Sequence, residues 1–229
     1  MNAVYYFSGS GNSRRVAEAL AQALGVAAQD ITLGGVSGEE QVAAVVFPVY
    51  CQNIPKNVVH FLKTLRAPYA VLIATFGRIS FGNVICEAEA LTDATVIAAA
   101  CVPMGHSFLQ EEYGFDVSLL APLLARIQAP QPATLSASEK DAFADIFPAL
   151  RSRIGMRISK AADCNRCGLC DTQCPTGAMQ SGKIGASCIR CMRCVSLCPK
   201  KALKPRPRRI LKRYLLRNRN RICTPIYYL

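Results

Sequence analysis

Eight of the twelve cysteines fall in one stretch as two copies of C-x2-C-x2-C-x3-C-P: Cys164, Cys167, Cys170, Cys174 and Pro175, then Cys188, Cys191, Cys194, Cys198 and Pro199. The second copy lies 24 residues after the first and also repeats Arg166 as Arg190 and Ala178 as Ala202, so the stretch is an internal duplication. Three thiolates at this spacing can wrap a loop around one face of a cubic iron–sulfur cluster. The fourth sits too far along, and the proline after it redirects the chain so that its sulfur reaches the neighbouring cluster. The expected ligand sets therefore cross: Cys164, Cys167, Cys170 and Cys198 on one [4Fe–4S] cluster, and Cys188, Cys191, Cys194 and Cys174 on the other. Zinc ribbons use two separated C-x2-C pairs, and disulfide frameworks belong to secreted chains, so both suit this run poorly.

The stretch resembles the bacterial two-cluster ferredoxins over residues 163–203, including the C-P-x-x-A that closes each copy (Cys174–Ala178, Cys198–Ala202). A two-cluster module is held by its metal centres and has little apolar interior. The remainder of a 229-residue chain that is 51% hydrophobic must then build its own core.

A second chemical signal lies at the start. Residues 2–7 read as a buried strand that runs into Ser8-Gly9-Ser10-Gly11-Asn12-Ser13, after which Val16, Leu20, Ala23 and Leu24 recur at helical spacing up to Gly25. Such a loop at a helix N-terminus aims several backbone N–H groups at one point, which suits a phosphate. It is neither G-x-G-x-x-G nor a Walker loop.

Further apolar runs alternate with helical stretches: a weak strand at Ala27–Leu33 and a strong one at Val42–Val49, with a helix expected from Pro55. Strands at Tyr69–Thr75 and Ala94–Cys101 follow, with helices over Val84–Leu91 and Val117–Ile127. Continuous apolar strands between helices imply an α/β fold with a doubly wound parallel sheet. Five such strands with a phosphate loop after the first match the order 2-1-3-4-5, in which the ligand lies at the carboxyl ends of the strands.

The Ser8–Ser13 loop is similar to the T/S-x-T/S-G-N-T/S phosphate loop of flavodoxins. With the segments Phe47-Pro48-Val49-Tyr50…Ile54-Pro55 and Thr75-Phe76-Gly77, the chain resembles the flavodoxin–ferredoxin fusion family of anaerobic bacteria over most of residues 3–203. That resemblance implies bound FMN. Its phosphate would meet Ser8, Gly9, Ser10, Gly11, Asn12 and Ser13. Its ring would lie between the loop of Pro48, Val49, Tyr50, Cys51, Gln52, Asn53 and Ile54 and the loop carrying Thr75, Phe76, Gly77, Phe81 and Gly82. The chain departs from the family after the fifth strand, where Met104-Gly105-His106-Ser107-Phe108 replaces Met-Pro-x-Asn-Tyr; His106 is a candidate proton donor there, with Tyr113 as another. Arg78 is a candidate positive charge near the flavin.

The expected domains are a flavodoxin-like one over 1–132 and a helical connector over 133–157, started by a Ser136/Glu139 capping box. A small α+β ferredoxin-like module follows over 158–204, then a basic tail over 205–229. Residues 1–150 carry a net −5 and residues 151–229 a net +17. This asymmetry suits docking on the acidic half or on a redox partner protein, either a ferredoxin-type donor or an acidic acceptor. Nothing in the sequence looks like a nucleic-acid recognition element, a targeting segment or a membrane span. The reading is a cytoplasmic electron-transfer protein coupling one-electron donors to a one- or two-electron acceptor, with a homodimer compatible. The alternative is a flavin-dependent reductase of a small organic acceptor.

Overall fold

The computed structural model describes residues 1–35 and 38–229. Its centre is a six-stranded sheet built from β1 (Asn2–Tyr6), β2 (Ala28–Asp30), β3 (Val42–Pro48), β4 (Tyr69–Phe76), β5 (Thr95–Pro103) and β10 (Ile226–Tyr228). The spatial order is β10-β5-β4-β3-β1-β2. All neighbours are parallel except β10, which runs antiparallel to β5 with Tyr227 opposite Ala100.

The sheet is covered on both faces, which is why its strands read as continuous apolar runs. Along β3, Ala43, Val45 and Phe47 enter one core together with Phe61 and Leu62 of α2 (Lys56–Lys63) and Val84 and Ile85 of α3 (Val84–Glu89). Val42, Ala44 and Val46 enter the other core with Val16 and Leu20 of α1 (Asn12–Leu24) and Leu123 of α4 (Ala121–Gln128). Alternation within an all-apolar strand thus divides the side chains between two layers. Complete burial of one side chain such as Phe47 contributes about 2–3 kcal/mol.

The connector differs from the expected helix. No helix begins at Ser136; the backbone N–H of Ala133 donates to Val96 O, that of Ser138 to Asn83 Oδ1, and Lys140 pairs with Glu87. These tertiary bonds hold the segment extended along β5 and α3, and they outweigh a local capping signal worth about 1 kcal/mol. The helix comes later, as α5 (Pro148–Gly155) with proline in its first turn.

Residues 156–207 form two antiparallel strand pairs and two short helices. β6 (Met156–Lys160) pairs with β9 (Leu203–Pro207), and β7 (Met179–Gln180) with β8 (Lys183–Ile184). The helices are α6 (Leu169–Thr172) and α7 (Arg193–Ser196). The basic tail is ordered into structure: β9, then α8 (Arg209–Asn218), then β10, which closes the edge of the sheet beside β5. Among the described residues no helix is long and apolar enough to cross a membrane.

Candidate redox site

The duplication in the sequence is also a duplication of the backbone. Helices α6 and α7 are offset by 24 residues, and so are three pairs of left-handed residues: Arg166 and Arg190 (φ 55° and 57°), Gly168 and Met192 (76° and 68°), Gly177 and Lys201 (62° and 48°). Hydrogen bonds repeat likewise. Ala178 N–H donates to Cys174 Sγ at 3.2 Å and Ala202 N–H to Cys198 Sγ at 3.3 Å; Ala161 N–H donates to Ala202 O, and Gly185 N–H to Ala178 O. Non-glycine residues in the left-handed region are costly, and their recurrence at matched positions marks the same turns in both copies.

These turns line two cavities. One is walled by Cys164, Cys167, Cys170 and Cys198, the other by Cys174, Cys188, Cys191 and Cys194. The fourth cysteine of each copy therefore lies with the first three of the other. All eight are free thiols. Among the described residues no three His, Cys, Asp or Glu side chains converge on a point where one metal ion would bind. Four thiols spread around a cavity suit a body that offers one iron to each sulfur, and they do not suit a single tetrahedral ion with donors about 2.3 Å away.

The two cavities differ in setting. Cys188 and Cys191 are buried and Cys191 belongs to the core on the α2 side of the sheet, whereas Cys167 is exposed. Burial raises the Cys191 thiol to about 12. Burial, followed by the nearby thiols Cys191, Cys188, Cys174 and Cys170, does the same for Cys194. Cys170 is pushed up to about 11 by burial and by the Asp171 carboxylate. At Cys174 burial acts upward, but hydrogen bonds from Thr176, Ala178 and Met179 outweigh it and lower the thiol. Thiols must give up their protons to ligate a metal.

The inner cavity also holds orphaned donors. Four buried side-chain polar atoms have no partner among the described residues: Tyr50 Oη, Arg190 Nη1, Arg193 Nε and Asn57 Nδ2. Arg190 and Arg193 line the inner cysteine cavity, and the Tyr50 hydroxyl lies beside Cys191 at Gly9. A buried donor without an acceptor costs about 1–3 kcal/mol, and the two arginine atoms on the inner cavity call for an acceptor. An electronegative sulfide cluster meets that requirement, so the residues present fit the group.

The strand-end loops meet one another at β1. Ser13 Oγ and Thr75 Oγ1 are 2.8 Å apart, Asn12 Nδ2 donates to Gly105 O at 2.8 Å, and Gly9 lies under the Tyr50 hydroxyl. Gly11, at φ 96°, caps α1 and donates its N–H to Ser8 Oγ. The N–H groups of Ser10, Asn12 and Ser13 have no acceptor among the described residues, so this end of the loop fits a phosphate. Ser8 and Gly9 are turned to the cysteine repeat instead: Arg193 Nη1 donates to Ser8 O and Ser196 Oγ to Gly9 O, both at 2.9 Å.

A cavity of about 390 Å³ opens beside these loops, at the carboxyl ends of β3, β4 and β5. Of the residues expected there, Val49, Tyr50, Cys51, Gln52 and Gly77 line it. Cys51 and Gln52, at φ 51° and 64°, form a tight two-residue turn closed by reciprocal Tyr50–Asn53 bonds of 3.0 Å. Pro48, Asn53, Ile54, Thr75, Phe76, Phe81 and Gly82 do not line the cavity. Phe76 packs edge-on against Phe81, and Asn53 is tied to Cys51 O and Ala144 O. Residues 8–13 do not line the cavity; Tyr50 stands between the two.

Other wall residues were not anticipated. Ala144 and Ser152, with Leu211, Tyr214 and Leu215 of α8, form one side, and Ile189 and Arg190 form another. Leu211, Tyr214 and Leu215 are spaced i, i+3, i+4, a signal visible in the sequence but obscured by the surrounding arginines. Ile189 and Arg190 also line the inner cysteine cavity, so the two cavities share that wall.

His106 lines the cavity with its ring against Gly77. Burial lowers it to about 4, Glu111 acting upward and Arg78 downward, so the imidazole is neutral at pH 7. Phe108 N–H donates to Nδ1 at 3.2 Å, which leaves the proton on Nε2. Arg78 does not line the cavity. It pairs with Glu111, bonds Met104 O and Asn220 Oδ1, and stacks over Tyr113 at 4.4 Å. Tyr113 is thereby occupied away from the cavity, with its hydroxyl on Cys223 O.

No family model matches this chain, and no curated protein does. A solved structure described as "a putative flavoprotein from Bacteroides eggerthii" aligns with 54% of this chain and 97% of its own, at 16% identity and a TM-score of 0.36.

Proposed function

We propose that this chain is an electron-transfer protein that holds two [4Fe–4S] clusters and one FMN. The observation that carries the reading is the pair of cavities, each walled by four cysteines with Cys174 and Cys198 exchanged between the copies. When bound, clusters pass single electrons and a flavin takes one or two, so together they join one-electron donors to a two-electron acceptor.

The chain's own residues define what each group would meet. The cavity lined by Val49, Tyr50, Cys51, Gln52 and Gly77 takes the FMN ring; Tyr50 separates it from the amides of Ser10, Asn12 and Ser13, so one FMN reaches both only past the Tyr50 side chain. Ile189 and Arg190 line both that cavity and the inner cysteine cavity, so the two groups would share a wall. His106 keeps a proton on Nε2 in the same cavity. The exposed cations of β9 and α8, among them Lys204, Arg206, Lys212 and Arg213, give an acidic protein partner a face to dock on.

His106 also favours a second reading, a flavin-dependent reductase of a small organic acceptor in which the imidazole supplies the proton. Both readings share the relay. Mixing the protein anaerobically with a reduced ferredoxin-type donor bleaches both chromophores, and Cys170→Ser slows flavin bleaching in stopped flow. Unchanged flavin kinetics in that variant overturn the relay.

A further inference from the structure

We infer that Tyr50, Arg190 and Arg193 donate hydrogen bonds to the cluster held by Cys174, Cys188, Cys191 and Cys194, and that they make it the first of the two to be reduced. The inference rests on the proposed reading of the two cavities as cluster sites.

Each donor has one atom left over. Arg193 gives Nη1 to Ser8 O and Nη2 to Asp30 and Gln173, which leaves Nε buried and free. Arg190 gives Nε to Met156 O at 2.9 Å and keeps Nη1. The Tyr50 ring is fixed edge-on against Phe7 at 6.2 Å, and its hydroxyl has no acceptor although it is buried beside Cys191. Arg190 Nη1 and Arg193 Nε can only donate, so their missing partner is an acceptor, and both residues line the cavity of Cys174, Cys188, Cys191 and Cys194; the Tyr50 hydroxyl, which can also donate, lies next to it beside Cys191.

The first copy lacks this arrangement. The positions equivalent to Arg190 and Arg193 are Arg166 and Leu169, both exposed. Where the second copy has Val195, the first has Asp171, whose Oδ1 lies 3.5 Å from Cys170 Sγ. Reduction adds one electron, and no proton, to a cluster already negative with its thiolates. Donors and guanidinium groups stabilise the added charge; a neighbouring carboxylate opposes it. Burial of the inner site removes water that would otherwise help, and the three fixed donors take its place.

The test is an anaerobic potentiometric titration of the holoprotein with dithionite, followed by electron paramagnetic resonance, alongside iron and sulfide analysis. The wild type is reduced in two resolved one-electron steps. Tyr50→Phe, which removes one oxygen, lowers the equilibrium constant of the first step about tenfold, ~59 mV, and leaves the second in place. Arg190→Gln lowers the same step, and Arg166→Gln, its counterpart in the first copy, does not. Two clusters that titrate together, or a Tyr50→Phe shift confined to the second step or absent, overturn the inference while the clusters stand. A wild type without iron and sulfide overturns the cluster reading and the inference with it.

Discussion

The two copies of the cysteine repeat share a backbone yet live in different surroundings. The first, Cys164 to Pro175, keeps Cys167 and Leu169 at the surface and touches the rest of the protein lightly. The second, Cys188 to Pro199, is built into the sheet: Cys191 packs in its core, and Arg193 reaches Ser8 O in the loop after β1 and Asp30 at the end of β2. Duplication supplies two equivalent frames, and their neighbours make them unequal. The second copy shares Ile189 and Arg190 with the cavity at the strand ends, and the first leaves Cys167 at the surface.

The largest effect expected from this difference is at Gly9. A Cβ there would lie 1.9 Å from the Cys191 carbonyl, a contact with backbone that no rotamer relieves. Gly9→Ala should destabilise the protein by about 3 kcal/mol or more, and a thermal unfolding midpoint lower by roughly 10 °C would register it. Gly168 in the first copy faces open space at φ 76°, so Gly168→Ala costs only the strain of a left-handed residue, about 1–2 kcal/mol. Equal midpoints for the two variants would mean that the second copy does not press on the loop after β1.

Next comes the arginine that joins copy to sheet. Arg193 is nearly buried and bonds Ser8 O, Asp30 and Gln173, so Arg193→Ala should cost about 2–3 kcal/mol by stranding those partners. Leu169→Ala, at the equivalent position, should stay within about 0.5 kcal/mol. Denaturant unfolding of the two variants measures the contrast directly, and similar losses would break it.

A pH-dependent effect of similar size belongs to His106, in the cavity that the second copy walls. Its folded value, lowered by burial to about 4, lies below the ordinary 6.5. Between these values the unfolded chain binds a proton that the folded one refuses. The contribution is therefore complete above pH 6.5 and is lost as pH falls toward 4, by on the order of 2–3 kcal/mol. Wild type should lose more stability than His106→Gln between pH 7 and pH 5; parallel losses would mean that the imidazole is solvated.

The strands of the sheet were legible because burial on both faces leaves an unbroken apolar run, as in Val42–Phe47 and Ala70–Ala74. The grouping of the cysteines into two sets of four was legible because the repeated C-x2-C-x2-C-x3-C-P spacing is a local property of the chain. What escaped detection is tertiary. Ser136 and Glu139 have the letters of a helix start, but bonds from Ala133 and Ser138 to β5 and Asn83 hold their segment extended. Ile226–Tyr228 is only three residues long and follows a run of arginines, and it becomes a strand because β5 has an open edge to pair with. The phosphate loop was read as one wall of a shared pocket with the loops after β3 and β4. The structure gives Ser8 and Gly9 to the cysteine repeat, a contact between residues 185 and more positions apart that no sequence pattern carries.

The central claim is that these eight cysteines hold two cubic clusters beside a flavin. Iron, acid-labile sulfide and flavin determined on protein purified without oxygen test it most directly. The account predicts about eight irons, eight sulfides and one FMN per chain. Zinc in place of iron, with no sulfide, would contradict it.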